Sequence, residues 1–177
     1  MPNRTRQTKV HIHEREERRG SQGDGAFHVL LRVRSELGKT IGSHRDMVAR
    51  KGAAMLGKMG SALGREFEVG LNEQIRQGTR TYLFLTTREG WNGPYVTDRC
   101  LLLGVHDTLD ETRAALVPRY YAGDARHIKT WFEIGSLERL TRDEMNRIFV
   151  LSSGREIMSV IASSATVFRV GVNARTR

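Results

Sequence analysis

A tryptophan in a glycine-rich loop is the side chain of this sequence best placed to bind a flat ligand. Trp91 lies within Gly90-Trp91-Asn92-Gly93-Pro94, a run of residue types that favour turns. The loop separates two runs, Tyr82–Leu85 and Tyr95–Leu103, whose aromatic and apolar side chains are typical of β-strands. From the sequence alone, Trp91 either covers a core or stacks on a ligand, with Tyr95 as a support.

Two further segments have the residue types of a base- or phosphate-binding turn. Gly57-Lys58-Met59-Gly60 connects a predicted strand with a predicted helix that starts at Ser61. Glycines let backbone amides approach a ligand closely, and a helix N-terminus favours an anion. Ser152-Ser153-Gly154-Arg155 places hydroxyl and guanidinium groups at the start of another predicted helix. Each segment has a structural alternative, namely a tight turn with an exposed Lys58 and a helix N-cap at Ser153.

Aromatic side chains on a strand are the other candidate wall of a base-binding site. Trp131 and Phe132 are neighbours in a predicted strand over 129–134, so they point to opposite faces of a sheet and one of them faces the core. Stacking a base on an aromatic ring contributes about 1–3 kcal/mol. Trp131 is therefore open to two interpretations, a core residue or a cage wall. The arginines that we consider for phosphate contacts are Arg88, Arg99, Arg155 and Arg169.

The composition is that of a basic globular protein. The 177 residues include 29 Lys and Arg against 20 Asp and Glu, which gives a net charge of +9 and a pI near 10.4. Such a charge favours a polyanionic partner, nucleic acid above all. The single Cys100 excludes an internal disulfide framework and, on a predicted strand, indicates a buried apolar residue. With no signal peptide and no apolar run long enough to span a bilayer, we expect a cytoplasmic protein without a membrane partner.

The motifs of common enzyme classes are missing from the sequence. Gly38-Lys39-Thr40 lacks the upstream glycine of a P-loop, since Val33 stands in that place. The sequence has no HExxH motif, no Cys/His cluster with zinc spacing and no Gly-x-Ser-x-Gly elbow. Its acidic residues mostly occupy predicted helix caps, as Glu111 and Glu144 do. We therefore expect no catalytic residues, no metal and no cofactor.

The pattern of predicted elements favours an α+β domain preceded by a tail. Residues 1–25 contain almost no apolar side chains, which predicts a flexible basic and polar tail, and residues 26–177 form the single folded domain. Predicted strands cover 27–33, 53–59, 82–85, 95–103, 129–134 and 166–172, and predicted helices cover 43–52, 61–77 and 155–164, with two more starting at Thr108 and Thr141. This pattern favours a small bent sheet or β-barrel of about six strands flanked by short helices.

Several of these features occur in an order that is found in a known superfamily. They are the GKMG turn, a helix ending at Gly78, the strand 81–85, a second strand from Tyr95, and Tyr120-Tyr121 followed by Trp131-Phe132. Over residues 27–172 the chain thus resembles the PUA-like superfamily, in particular its EVE and YTH branch. Similar domains stand at the N-terminus of some McrB-type modification-dependent restriction proteins.

The resemblance implies a small β-barrel with helices around it, which takes a flipped, modified base into an aromatic cage. The residues at the matching positions are Lys58, Met59, Ser61, Trp91, Tyr95 and Trp131. From the resemblance we expect a non-catalytic reader of a modified base, on DNA in preference to RNA, in bacterial defence or modification-dependent restriction. The fused family members also carry ATPase or nuclease domains, so a separate nuclease or ATPase is the expected protein partner.

Two other functions stay open at this point. The ASCH branch of PUA-like proteins includes hydrolases of modified nucleosides, which need a lysine, a hydroxyl side chain and a carboxylate that converge in the pocket. Lys58 is available for such a site, but no particular carboxylate stands out. An accessory protein that binds RNA or DNA by shape and charge alone is the third interpretation.

Overall fold

The computed structural model of the protein describes residues 25–33, 38–89, 93–163 and 165–173, with the backbone alone at 38 and 39. The strands are β1 (His28–Arg32), β2 (Ala54–Lys58), β3 (Tyr82–Arg88), β4 (Tyr95–His106), β5 (Thr130–Arg139), β6 (Ile148–Val150) and β7 (Val167–Val172). The α-helices are α1 (Gly38–Lys51), α2 (Arg65–Arg76), α3 (Glu111–Ala114), α4 (Arg142–Met145) and α5 (Ile157–Val160). Two 3-10 turns cover Arg119–Tyr121 and Ala125–His127. Residues 1–24 of the predicted tail lie outside the described ranges, so the tail stays a prediction.

The strands form one mixed, open sheet. Its order is β2-β5-β4-β3-β1-β7-β6, with β1 and β3 parallel and all other neighbours antiparallel. Within the described residues β2 and β6 are the two edges, so these pairings do not close the sheet into the barrel that the resemblance implies. The sheet and its short flanking helices agree with the expected α+β class, with seven strands instead of the predicted total of about six.

Helices α1 and α2 cover one face of the sheet. Ile41 of α1 and Leu71 of α2 are buried in one cluster with side chains from β1 to β5. Most of the helix predicted over 61–77 is confirmed, because α2 lies within it and Phe67 and Ile75, each four residues from Leu71, pack against the same cluster. Cys100 is completely buried in this cluster, as predicted, and burial raises the pKa of its thiol.

The opposite face of the sheet carries two separate apolar clusters. One includes strand residues of β1, β3, β6 and β7 and packs against Met145 of α4 and Ile157 of α5. The other lies beside β2 and β5 and consists of Met55, Tyr121, Ile128 and Trp131. The connection between α3 and β5 supplies two of these four side chains. The sheet is therefore buried on both faces at its β2 end.

Two of the short helices, α3 and α4, start at side-chain caps, and only one of these caps is the predicted one. The predicted capping box of Thr141 with Glu144 is confirmed at the start of α4. At α3 the prediction of Thr108 as the cap fails, because the Asp110 carboxylate accepts the Arg113 N–H instead (2.8 Å). A carboxylate one residue before a helix is well suited to the N-cap position. It accepts the hydrogen bond, and its negative charge interacts favourably with the positive end of the helix dipole.

The predicted helix over 155–164 was too long, and the edge strand before it was not predicted. Ser153 does not cap a helix, because Gly154 has a φ of 66° and its N–H donates to Val150 O (2.7 Å), which makes a turn there. The helix is the short α5, with Glu156 at its N-cap position. β6 has three residues, too short a pattern for its period to be read from the sequence.

Candidate nucleic-acid interface

The outer edge of β2 is covered by the segment that follows α3. Met55 N–H donates to Leu116 O (2.9 Å), and Gly57 N–H donates to the Tyr121 hydroxyl (2.9 Å). The same hydroxyl donates to Gly57 O at 3.3 Å. Uncovered edge strands invite pairing with other chains, and these contacts satisfy the edge. They also fix Tyr121, and with it the neighbouring Tyr120, against the side of the sheet.

Tyr120 is held by its neighbours and is partly exposed to solvent. Its ring stacks on Tyr121, with centroids 4.2 Å apart and planes at 34°, and makes a T-shaped contact with buried His44 at 5.9 Å. Its hydroxyl interacts with Tyr121 and Thr40, and desolvation raises the pKa of Tyr120, which therefore stays a neutral phenol. With 43% of its surface exposed, it is the most exposed aromatic residue in the described ranges.

Tyr120 lines a cleft of about 500 Å³, which we call the Tyr120 cleft. Its walls are one side of α1, between Ser43 and Lys51, and residues 118–120 of the covering segment. The volume lies within the usual range of small-molecule sites in proteins. The charged side chains that line the cleft are three cations and one carboxylate: Arg50, Lys51, Arg119 and Asp46.

Local hydrogen bonds position two of the three cations. Arg50 Nε donates to Asp46 O one helical turn back (3.2 Å), and Lys51 Nζ donates to Ala115 O of the covering segment (2.6 Å). Both residues belong to the last turn of α1, where their charge also offsets the partial negative charge of the helix end. Neither bond neutralises its cation, because both acceptors are carbonyl oxygens. The cleft thus combines net positive charge with an aromatic wall, which suits a nucleotide.

The predicted Trp91 wall falls outside the described residues, and only the strands on either side of its loop can be placed. Arg88 pairs with Tyr95 across β3 and β4, and the Arg88 guanidinium lies 5.5 Å from the centre of the Tyr95 ring. Tyr95 also packs against the cluster beneath α4 and α5. The structure therefore brings Arg88 and Tyr95 together as an arginine–aromatic pair.

Trp131 is a core residue in this structure. It is only 3% exposed and packs against Ile128 and Tyr121, whose ring centroid is 5.3 Å away. Trp131 pairs with His106, eleven residues along β4 from Tyr95 (95 to 106). At about 3.3 Å per residue this separates the two aromatics by about 36 Å. The structure does not bring Tyr95 and Trp131 into one cage.

The GKMG turn brings Lys58 and Ser61 together at the end of β2. Lys58 Nζ donates to Ser61 O, and partial burial lowers the pKa of Lys58. Met59 and Ser61 are exposed. The glycine that precedes Lys58 serves packing, because a Cβ on Gly57 would lie 2.4 Å from Ile128 Cδ1. The turn thus has structural contacts of its own, and the base-binding role of its residues stays a prediction.

The other predicted phosphate contacts do not form one surface. Arg99 makes an ion pair with Glu138 on the sheet face that α4 and α5 cover. Arg169 lies on the opposite face, 3.8 Å from the centre of an aromatic ring. Ser153 and Arg155 are exposed in the turn before α5. Arg99 and Arg169 therefore do not lie in one groove on a single face of the sheet.

Among the described residues, the surroundings of Lys58 can be compared with the convergence that a hydrolase needs. Its strand partner Thr130 is completely buried and accepts the Leu63 N–H (2.9 Å). No ion pair links Lys58 to a carboxylate in the part of the chain that the structure describes. Within the same ranges, no group of three or more His, Cys, Asp or Glu side chains could hold a metal ion.

A buried carboxylate on β4 was not singled out from the sequence. Asp98 is completely buried, and its Oδ1 accepts from Arg139 Nε (3.1 Å) and Arg45 Nη2 (3.4 Å). Its Oδ2 has no hydrogen-bond donor among the described residues. The available signal was strand alternation, which places Asp98 on the same face as Cys100, a predicted core residue. The two arginines link α1 and β5 to β4 through this carboxylate.

The Tyr120 cleft was also not predicted, although its aromatic residue stood out in the sequence. Tyr120 follows Pro118 in a basic chain, which is a visible signal. Arg50 and Lys51 are about 70 positions away, and only the packing of both segments at the β2 edge brings them together.

Two further findings concern membrane-spanning helices and similarity to known proteins. No helix among the described residues is both long and apolar enough to cross a membrane. No protein-family model, no curated protein and no solved structure matches the chain.

Proposed function

We propose that this protein binds nucleic acid without catalysing a reaction, and that the Tyr120 cleft is its contact surface. The observation that carries the proposal is the make-up of the cleft. Three cationic side chains and the most exposed aromatic ring of the described residues line one concave space. The net charge of +9 adds a field that attracts polyanions to the surface.

The charged side chains of the cleft supply the affinity in this proposal. Arg50, Lys51 and Arg119 contact phosphates, and the release of condensed counterions makes binding depend on salt. Asp46 offsets only part of this charge. Arginine at two of the three positions favours paired hydrogen bonds to one phosphate, which a lysine cannot make with the same geometry.

Replacing Arg50 and Arg119 by glutamine should reduce both the affinity and its dependence on salt. Each phosphate contact on a single strand contributes about 0.7 to the slope of log K against log [salt], so the slope should become shallower by about 1.4. At about 0.1 M salt this corresponds to about 25-fold weaker binding. Fluorescence anisotropy of a labelled DNA oligonucleotide over a salt series measures both quantities.

The matched control is the double variant Arg65→Gln with Arg80→Gln. Both arginines are exposed, neither lines the cleft, and their replacement lowers the net charge by the same two units. We expect this variant to retain most of the affinity. Equal weakening by the two double variants would show that overall charge drives binding and that the cleft is not the interface.

The domain family, the kind of base recognised and the biological role are part of the same proposal. We propose a PUA-like domain that reads a modified base, on DNA in preference to RNA, in bacterial defence and alongside a separate nuclease or ATPase. Its support is the order of motifs in the sequence. Because Trp131 lies in the core, a cage at the predicted positions lacks this wall, and Tyr120 is the described aromatic that is free to take its place. Titrations with methylated and unmethylated oligonucleotides test this part.

A further inference from the structure

The anchoring of Tyr120 is the feature of the cleft that points to a particular class of ligand. Its ring contacts those of Tyr121 and His44, and its hydroxyl interacts with Thr40 and Tyr121. The residue lines the cleft, and 43% of its surface is exposed. A ring fixed in this way has already lost its rotamer freedom, so a ligand that stacks on it does not have to order it.

We propose that the Tyr120 cleft takes one unpaired nucleotide of a single strand, with its base stacked on Tyr120 and its flanking phosphates at Arg50, Lys51 and Arg119. This inference rests on the proposed nucleic-acid binding and names its substrate class. Base stacking tolerates any sequence, because every base has a π-face. The cleft therefore distinguishes single strands from duplexes and does not distinguish one base sequence from another.

The bases of a paired duplex cannot stack on Tyr120. In a duplex both faces of each base are covered by neighbouring base pairs, and only the base edges are accessible in the grooves. The cleft volume of about 500 Å³ has room for a single nucleotide. A duplex whose bases all stay stacked can still contact the three cations from outside, but it gains nothing from Tyr120 as long as no base is flipped out.

The test compares two single strands that carry the same charge. One is a DNA oligonucleotide of natural bases, and the other is the same sugar-phosphate chain with abasic sites throughout. We expect the wild-type protein to bind the natural strand more tightly than the abasic one. Tyr120→Ala should lose about 5- to 150-fold in affinity for the natural strand, should leave the abasic strand unchanged and should then bind both strands equally.

Further variants and one further ligand separate stacking from loss of structure. Tyr120→Phe keeps the ring and should retain the preference for the natural strand, whereas Tyr120→Leu keeps apolar bulk without a flat ring and should lose it. Tyr120→Ala should bind a duplex of the same length as tightly as the wild type does. The comparison of natural and abasic strands on the wild type needs no variant, so it holds even if a substitution at Tyr120 impairs folding.

The outcomes distinguish this inference from the function on which it rests. If the wild-type protein binds natural strand, abasic strand and duplex with affinities that follow charge alone, and Tyr120→Ala changes none of them, the stacking inference is overturned and nucleic-acid binding stands. If the wild type binds none of the three at low salt, the proposed function itself fails. A loss by Tyr120→Ala that is equal for natural and abasic strands also overturns the inference, because stacking requires a base.

Discussion

Replacing Trp131 by alanine is expected to lower the free energy of unfolding by about 3–5 kcal/mol. The indole is 3% exposed and fills the space between β5 and the segment that covers β2, in contact with Ile128 and Tyr121. Truncation leaves a cavity there, and the stacked pair of Tyr121 and Tyr120 loses its support from behind. Denaturation with urea, followed by circular dichroism, measures the loss.

Trp131→Phe is the control for this prediction, because it keeps most of the apolar volume and should cost much less than the alanine variant. The two roles considered for Trp131 predict different results. A core residue costs stability when it is truncated, whereas a cage wall costs binding. A Trp131→Ala protein with unchanged stability and strongly weakened oligonucleotide binding would restore the cage interpretation and contradict the core role of the indole.

Acidification should destabilise the protein through His28. The free energy of unfolding should fall by about 3 kcal/mol as the pH is lowered from the ordinary pKa of histidine to the pKa of His28 in the folded protein. Burial lowers the pKa of His28 from 6.5 to about 4. The side chain is 6% exposed, lies against Tyr82 and Phe84, and accepts the Tyr82 N–H at Nδ1 (3.3 Å). Protonation would turn this acceptor into a donor and place a charge in the core.

The direction of this pH dependence follows from proton binding in the two states. Between pH 6.5 and about 4 the unfolded chain binds a proton at His28 and the folded protein does not, so stability falls as the pH falls through this window. The contribution of His28 to the free energy of unfolding is fully present above pH 6.5. Below about pH 4 both states are protonated and His28 causes no further loss.

His28→Asn isolates this effect, since an asparagine oxygen can accept the same N–H and does not titrate. Urea unfolding of both proteins across the window gives the difference, and it removes the contribution of other groups such as His44, whose pKa burial also lowers. We expect the wild type to lose about 3 kcal/mol more than His28→Asn on acidification. Parallel curves for the two proteins would show that His28 is not held neutral in the fold.

The elements with a long, regular pattern could be predicted from the sequence, and the short ones could not. The spacing of Leu71 with its neighbours in α2 is a strong signal, and Gly52 and Gly78 end helices with φ of 79° and 78°. α5 and β6 contain too few residues for a period to show. Asp110, and not Thr108, caps α3, and residue types alone do not show which of the two side chains accepts the helix N–H.

At the candidate site, the residue types could be predicted from the sequence, and their relative positions could not. Aromatic and cationic side chains suited to nucleic acid were visible in the sequence, but their partners depend on which segments meet. The sequence left Trp131 open between a core residue and a cage wall, and both Trp131 and Phe132 are buried, because the segment after α3 packs over the second face of the sheet. That packing also creates the Tyr120 cleft, which is why the cleft was missed.

The most direct test of the central claim is an amide NMR titration of the full chain with a short single-stranded DNA oligonucleotide. Binding in the Tyr120 cleft predicts the largest shift changes at residues 43–51 and 118–121, which form the cleft and its tyrosine pair. The Tyr120→Ala and Arg50→Gln/Arg119→Gln variants should lose these changes at the same DNA concentration. Shift changes confined to the β3–β4 hairpin around Arg88 and Tyr95, or to the turn at 57–61, with the cleft unaffected, would contradict the claim.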